Sequence, residues 1–528
     1  MAKERSLLRY SSALSFWTLV SRILGLFREM TKASLLGTSA YSDAFSVAFL
    51  LPNLFRRLFA EGSISAAFIP TFKEYLLKNN QSEIHDFICA FWTFLTFIVS
   101  IAVSLGIFFA PFIVPVFGLS AFDETTLLTR IMFPYLLFIS IAAFFQGILN
   151  TNNSFIPSAF APVLLNISTI GFAWLLSPIM DNPARAMAVG ILTGGFLEAA
   201  IQLPFVLKKK FYFNWTLLST AIKNPGTRKV LRLVGPTIIG MAAYQLNDLV
   251  STAFAGRSGE GIVSALQYSL RLQELFLGVF AVSIGTVLLP QLSEDAKSLK
   301  WDSYNKRLKD AVFIIALITI PVTFFSLLYG ETLIKLLFQT RRFDERSVAL
   351  TLEAFRFHIA GLFFIALNRI LAPAFYAQSD SVSPTLAGII SFAVNIALVF
   401  LLNREGSGAG IAFALSAAGA VNTLLLLFFL RKNRMINLNS IIQSSLLYII
   451  KIVFVSALAL IPVYFASPFV SRFIMNFNFT GKLISLAVPF LFNAFFFAAL
   501  GVLILFISRD RLVLSLISAL RRGKKAAS

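Results

Sequence analysis

Four arginines set among residues that suit hydrocarbon have the greatest chemical potential in this chain. The stretch 21–70 reads SRILGLFREMTKASLLGTSAYSDAFSVAFLLPNLFRRLFAEGSISAAFIP and carries Arg22, Arg28, Arg56 and Arg57. A guanidinium is a planar, permanently charged fork of donors that matches phosphate, and a dry surrounding strengthens the attraction. A charge near the middle of a bilayer costs at least about 2.5–3.5 kcal/mol, so it faces a water-filled cavity, a partner or a substrate. Several arginines around one space suit a pyrophosphate head.

Their neighbours constrain how they are presented. Arg22 and Glu29 share a helical face, with Arg28 displaced by roughly a third of a turn. Either the wall they line is broad or Gly25 loosens the helix. Pro52 lacks a backbone donor and is expected to interrupt the next helix. Asn53, Arg57 and Glu61 follow it at helical spacing, and an Arg57–Glu61 pair would leave Arg56 uncompensated. The alternative is that Arg56 and Arg57 mark an early cytoplasmic end to a shorter span. Asp43, in SAYSDAF, reads equally as a helix-start residue or as a counter-charge. Further along, AYQLNDLVST offers Asp248, and SLRLQELF offers Arg271 with Glu274, spaced for a local salt bridge. Arg356 and His358 are expected to be interfacial at the outer end of a later span that also holds Arg369.

Other chemistry finds little support. A single cysteine, Cys89, excludes an internal disulfide framework or a cysteine metal cluster, and only two histidines, His85 and His358, argue against a histidine site. No P-loop, paired metal-binding acids or nucleophilic constellation is visible, so no cofactor is expected.

The elements that must position these charges follow from composition. The chain has 528 residues, 57% hydrophobic and 13% charged, with mean hydropathy +0.80. That is an all-α integral membrane protein, since apolar stretches of about 20 residues recur to the C-terminus where a barrel would show short alternating strands. Fourteen spans are expected, at 11–35, 41–71, 87–118, 128–150, 155–180, 186–207, 228–256, 263–290, 309–338, 352–378, 383–403, 408–430, 443–467 and 481–508. The opening MAKERSLLRYSS leads into a retained first span, with no convincing cleavage site. The net charge of +20 sits in short loops, which suits topology and anionic membrane lipids and not nucleic acid. Lys3, Arg5, Arg9, the Lys208–Lys210 run, Arg431, Lys432, Arg434 and the basic tail mark one side. By the positive-inside rule both termini are cytoplasmic. Arg341, Arg342 and Arg346 dissent, for no topological reason.

An internal repeat divides the chain. FQGILNTNNSFIPSAFAPVLLNISTIGFAWLL (144–175) lines up with LAPAFYAQSDSVSPTLAGIISFAVNIALVFLL (371–402), and SISAAFIPTFKEY (63–75) with SIGTVLLPQLSED (283–295). Two pseudo-symmetric six-helix lobes, 1–210 and 211–432, then precede a C-terminal helix pair and basic tail, 433–528, and substrate is expected between the lobes. The last pair, apart from Lys451, is rich in Phe, Leu, Ile and Val. It is either lipid-facing or a groove for a long apolar ligand.

SRILGLFRE, SDAFSVAFLLPNLFRRLFAEGSISAAFIPTF and SLRLQELFLGVFAVSIGTVLLPQLSE resemble the MurJ (MviN) family of bacterial lipid II flippases, whose superfamily also holds multidrug and polysaccharide exporters. The likeness covers essentially the whole chain, with NLFRRLFAEG its most specific segment. It implies a multi-pass protein of the bacterial cytoplasmic membrane that moves lipid II, an undecaprenyl pyrophosphate carrying the peptidoglycan disaccharide-pentapeptide, to the outer leaflet by alternating access. The family's cavity arginines match Arg22, Arg28, Arg56 and Arg271, and its important second-span acid matches Asp43. Asn53, Arg57, Glu61, Glu29, Gly25 and Pro52 then support or gate the cavity, with rocking about Pro52 and Gly25. The two extra helices form a lipid-tail groove in the family. Some members are held to bind sodium through acids on spans seven and eleven. Asp248 and Asn395 are the positions for ion coupling here, the latter without a carboxylate. A monomer is expected, driven by membrane potential or by a cation. The rival readings are a flippase for another polyprenyl-pyrophosphate-linked oligosaccharide and a cation-coupled multidrug exporter. Clustered arginines disfavour the latter.

Overall fold

The computed structural model describes residues 2–57, 65–278, 282–475, 481–515 and 518, and leaves aside the side chains of 2–15, 65–66, 235–244, 282–283, 286, 471, 473–475 and 482–483. Apart from one isolated bridge between Arg404 and Ser407, the regular structure among the described residues is helical. Hydrocarbon offers backbone groups no water, so a chain this apolar must satisfy them within each segment.

The first helices are α1 (Ala2–Leu36), α2 (Ala40–Arg56), α3 (Ser65–Lys78), α4 (Gln81–Ile113), α5 (Phe122–Met132) and α6 (Tyr135–Thr151). They are followed by α7 (Ile156–Leu176), α8 (Pro183–Lys208), a short α9 (Leu218–Lys223) and α10 (Pro225–Ser258). Next come α11 (Ile262–Phe276), α12 (Val282–Lys297), α13 (Trp301–Phe338), α14 (Glu345–Ala360) and α15 (Leu362–Tyr376). The last four are α16 (Val382–Leu402), α17 (Ala409–Leu430), α18 (Leu438–Met475) and α19 (Lys482–Ile507).

Among the described residues, 9 stretches are long and apolar enough to cross a membrane, or 10 if α14 and α15, bent by 45° at their junction, are one span. The expected segments that fall short are α1, α2 with α3, α10, and α11 with α12. Helices α2 and α3, and α11 and α12, are each separated by residues outside those described, and α1 and α10 are rich in charge. These same elements carry Arg22, Arg28, Arg56, Arg57, Asp248 and Arg271.

Two compact units emerge: residues 1–264 with 340–344, and residues 265–339 with 345–528. In the first unit α7 and α8 pack so closely that a Cβ on Gly190 would stand 2.7 Å from Thr169 Cα, and one on Gly194 2.9 Å from Leu165 Cα. Helix α1 lies along α7, with Trp17 edge-on to Phe160 at 4.8 Å and the Asn166 amide donating to the Ser21 carbonyl at 3.1 Å. Phe45 and Ala48 of α2, Leu128 and Met132 of α5 and Met187 and Ile191 of α8 form one buried core that fixes α2. The dissenting loop has a packing role here: Phe343 is buried, and the Arg342 carbonyl lies where a side chain on Gly37 (φ +59°) would go. Only glycine allows that approach.

In the second unit α13 is central. Tyr448 of α18 stacks on Phe313 at 4.3 Å, and Tyr329, Val463 and Phe497 join α13, α18 and α19 in a second core. Lys451 of α18 reaches Asp510 just beyond α19 at 2.7 Å. Phe454, Phe465, Phe469 and Phe495 point outward.

Some backbone features return at similar separations along the chain. Asn79 and Leu299, 220 residues apart, both adopt left-handed φ (54° and 56°) after α3 and α12. Asn153 and Ser379, 226 apart, do the same (55° and 61°) after α6 and α15. A wider π-type turn ends α2 at Arg57 and α11 at Leu277, again 220 apart.

Two expectations are corrected. Helix α2 runs through Pro52 to Arg56, its turns held by the α2–α5–α8 core. Helix α1 is continuous through Gly25, whose Cα faces open space, a Cβ there meeting only Asn166 Oδ1 at 4.0 Å.

Candidate functional site

The first unit gathers its charges along α1 and the start of α2. Arg28 pairs with Glu29 at 2.9 Å, and its guanidinium lies 5.9 Å from the Phe49 ring. One turn on, Lys32 is buried, donates to Ser46 Oγ at 2.5 Å and lies 5.9 Å from the Phe45 ring. Sequence reasoning missed Lys32, because a lysine close to the expected outer end of a span reads as interfacial. Its spacing of three residues from Glu29 was the available signal.

Asp43 combines the two roles open to it. It lies in the first turn of α2, is buried, and accepts the Gly261 N–H at 2.7 Å and the Ser264 N–H at 2.8 Å. It therefore caps the N-terminus of α11, where unpaired donors and the helix dipole favour an anion. Lys32 acts on the same carboxylate electrostatically. The turn that brings α11 here depends on glycine: Gly261 (φ +88°) lets Thr38's carbonyl come within 2.4 Å of where its Cβ would be. The Ala40 N–H donates to Glu260 at 3.1 Å, and Arg257 donates to the Val116 carbonyl at 3.0 Å. Ala40, Asp43, Arg257 and Glu260 line a small, half-open cavity of about 180 Å³.

At the other end of α2, Arg56 Nε donates to Asn53 Oδ1 at 2.8 Å, so Arg56 is not bare as expected. Arg57 reaches α10, bonding Asp248 at 3.3 Å and Gln245 at 3.5 Å. Glu61, its expected partner, lies outside the described residues. Asp248, expected in ion coupling, is thus engaged by an arginine.

Arg22 differs from the rest. It is exposed on α1, and among the described residues it has no hydrogen-bond or ion-pair partner. In the second unit Arg271 pairs with Glu274 at 2.8 Å, both about half exposed, as the spacing predicts. Asn395 is buried within α16. His358 is a correction: it is buried, not interfacial, with Nδ1 at 2.6 Å from Ser269 Oγ, and Gln273 donates to its carbonyl. The tertiary contact with α11 seals what the end of a span suggested was open. Among the described residues no group of three His, Cys, Asp or Glu is close enough to hold a metal.

Comparison with known proteins agrees over nearly the whole chain. The family model described as lipid II flippase MurJ matches residues 32–504. A probable lipid II flippase MurJ of Treponema pallidum (strain Nichols) is 42% identical over 527 residues, covering 99% of each chain. The lipid II flippase MurJ of Burkholderia cenocepacia is 34% identical over 440 residues, covering 81% of this chain and 84% of its own. Among solved structures, a lipid II flippase MurJ in an inward closed conformation superposes with TM-score 0.77 at 25% identity, covering 93% of this chain and 98% of its own. An inward-facing multidrug resistance MATE transporter, at TM-score 0.66 and 12% identity, covers 80% of this chain and 96% of its own and shares the fold.

Proposed function

Since the chain belongs to the MurJ family of lipid II flippases, we propose that it carries lipid II from the inner to the outer leaflet of the cytoplasmic membrane by alternating access, supplying cell-wall synthesis. Arg22 carries this reading from the structure. An exposed guanidinium in the apolar stretch between Tyr10 and Phe27 of α1, with no carboxylate beside it among the described residues, needs water or an anionic ligand. A pyrophosphate between a polyprenyl chain and a sugar supplies that anion, and a guanidinium fork holds two of its oxygens at once.

In this reading Arg22, Arg28, Arg56 and Arg271 hold the pyrophosphate. Arg28 and Arg271 keep a carboxylate neighbour and exchange part of that contact for the ligand, and Arg56 swings from Asn53. The chain crosses the membrane fourteen times with both termini cytoplasmic and works as a monomer. The backbone features repeated at 220 and 226 residues support two related lobes. Phenylalanines exposed on α18 and α19 suit the polyprenyl tail. Each net charge moved across 100 mV is worth about 2.3 kcal/mol, enough to bias the two access states. Cation coupling through Asp248 would require Arg57 to let go of it.

The test is rescue of a bacterium depleted of its own lipid II flippase, scored by outer-leaflet lipid II. The wild-type chain restores it. Arg22→Ala abolishes rescue at unchanged expression and thermal stability, because the side chain has no described partner to lose. Rescue by Arg22→Ala, or failure of well-inserted wild type, refutes the reading.

A further inference from the structure

The turn between α13 and α14 holds two arginines that neither the charge rule nor the arginine cradle accounts for. Residues 340–343 read TRRF. The turn closes on itself: the Thr340 N–H donates to the Phe343 carbonyl at 3.1 Å, and the Phe343 N–H donates to Thr340 Oγ1 at 3.2 Å. Phe343 is fully buried, and the Arg342 carbonyl fills the space that Gly37 leaves, so the turn is clamped onto the end of α1. Arg341 and Arg342 occupy its two central positions and are exposed. A backbone fixed in advance leaves only side-chain freedom to be lost when a ligand binds.

Neither guanidinium has a hydrogen bond or an ion pair among the described residues. Acids that might have answered them have other partners. Glu345, three residues after Arg342, pairs with Lys335 at 3.0 Å and accepts from Gln339 at 2.7 Å. In the first unit Glu124 and Asp181 answer Arg185, at 2.7 and 3.8 Å, and Asp43 holds the amides of α11.

The place of the turn sets the ligand. Helix α13 is long and apolar enough to cross the membrane and ends at Phe338, three residues before Arg341. Leu36, at the end of α1, shares a core with Ala184 and Met187 of α8. The turn therefore lies at the Pro183 end of α8, whose other end, Lys208, is about 38 Å away along the axis. Tyr41, half-exposed in the first turn of α2, is of a residue type that gathers at the headgroup level. A cation at that depth meets lipid phosphate. A zwitterionic headgroup offsets its phosphate with its own amine, whereas an anionic one leaves the charge to the guanidiniums, each of which can hold two oxygens.

We propose that Arg341 and Arg342 form a docking site for the phosphate of an anionic phospholipid, presented on a preformed turn at the end of the first unit opposite the Lys208–Lys210 run. In the topology proposed above this is the outer leaflet, where a basic loop otherwise runs against the charge rule. Headgroup binding itself depends neither on that orientation nor on lipid II.

The experiment takes the full chain in detergent micelles and follows bound phosphatidylglycerol by native mass spectrometry, with phosphatidylcholine as the zwitterionic reference. Each basic residue at an anionic lipid surface contributes a factor of about 5, so Arg341→Gln with Arg342→Gln should weaken one bound phosphatidylglycerol about 30-fold at unchanged melting temperature. Lys209→Gln with Lys210→Gln should leave that lipid in place. Wild-type affinity in the arginine double variant overturns the proposal, as does phosphatidylcholine held equally well by Arg341 and Arg342. Displacement of the lipid by inorganic phosphate would make the turn a free-anion site, and preferential displacement by lipid II would make it part of the transport path. Either result overturns the phospholipid assignment. Should the double variant fail to fold, Arg341→Gln alone must weaken binding about 5-fold, and unchanged affinity has the same force. Unchanged binding in the variant with intact lipid II rescue would refute the docking site alone, and failed rescue by wild type with the lipid bound as expected would refute the flippase reading alone.

Discussion

Replacing Asp43 with alanine removes a carboxylate that holds two N–H groups at the start of α11, at 2.7 and 2.8 Å, in a buried position. A hydrogen bond to a charged acceptor contributes about 1.5–3 kcal/mol net, and loss of an N-cap costs about 1–2 kcal/mol. The two bonds share one carboxylate and one helix end, so the contributions overlap and a local cost of about 2–4 kcal/mol follows. At a factor of ten per 1.4 kcal/mol, amide exchange at Gly261 and Ser264 should accelerate roughly 30- to 700-fold. Asp43→Asn keeps an acceptor but loses the charge and should fall between. Because Lys32 acts on the same carboxylate, Lys32→Met should cost less in the Asp43→Ala background than alone. The assay is hydrogen exchange of the full chain in nanodiscs. Unchanged exchange at both amides, or an equal increase throughout α17, would refute the capping role.

Arg57 and Asp248 are each about one-third exposed in their 3.3 Å pair, so a double-mutant cycle of Arg57→Ala and Asp248→Asn should give a coupling below about 1 kcal/mol in thermal stability. Rescue by Arg57→Ala should be milder in defect than by Arg56→Ala, and equal loss at equal expression would reject that division. Gly190→Ala should destabilise by about 1–3 kcal/mol, since its Cβ would meet Thr169 Cα at 2.7 Å, whereas Gly25→Ala should be neutral in melting temperature and in rescue.

What could be read in advance depended on how local the cause was. The Arg271–Glu274 pair was legible because three residues of helix bring the groups together whatever else packs nearby. The left-handed residues Asn79 after α3 and Leu299 after α12 are likewise local events. The effect of Pro52 was misjudged because a missing N–H weakens one turn, while packing of α2 against α5 and α8 carries the helix onward. His358 was misplaced because distance from a span end predicts exposure only if no other helix covers the side chain, and Ser269 of α11 does.

The sequence by itself determined that this is a membrane-embedded, all-helical chain with arginines in costly places. Hydropathy and charge are properties of order along the chain, and a bilayer turns them directly into structure. Only tertiary structure decided which charge answers which. It gave Asp43 to the amides of α11, 218 and 221 residues away, Arg57 to Asp248, 191 away, and left Arg22 with no partner among the described residues. It also buried Lys32. Side chains so far apart in sequence meet only through helix packing, and in a low-dielectric interior that meeting decides whether a charge is a strut or is left for a ligand.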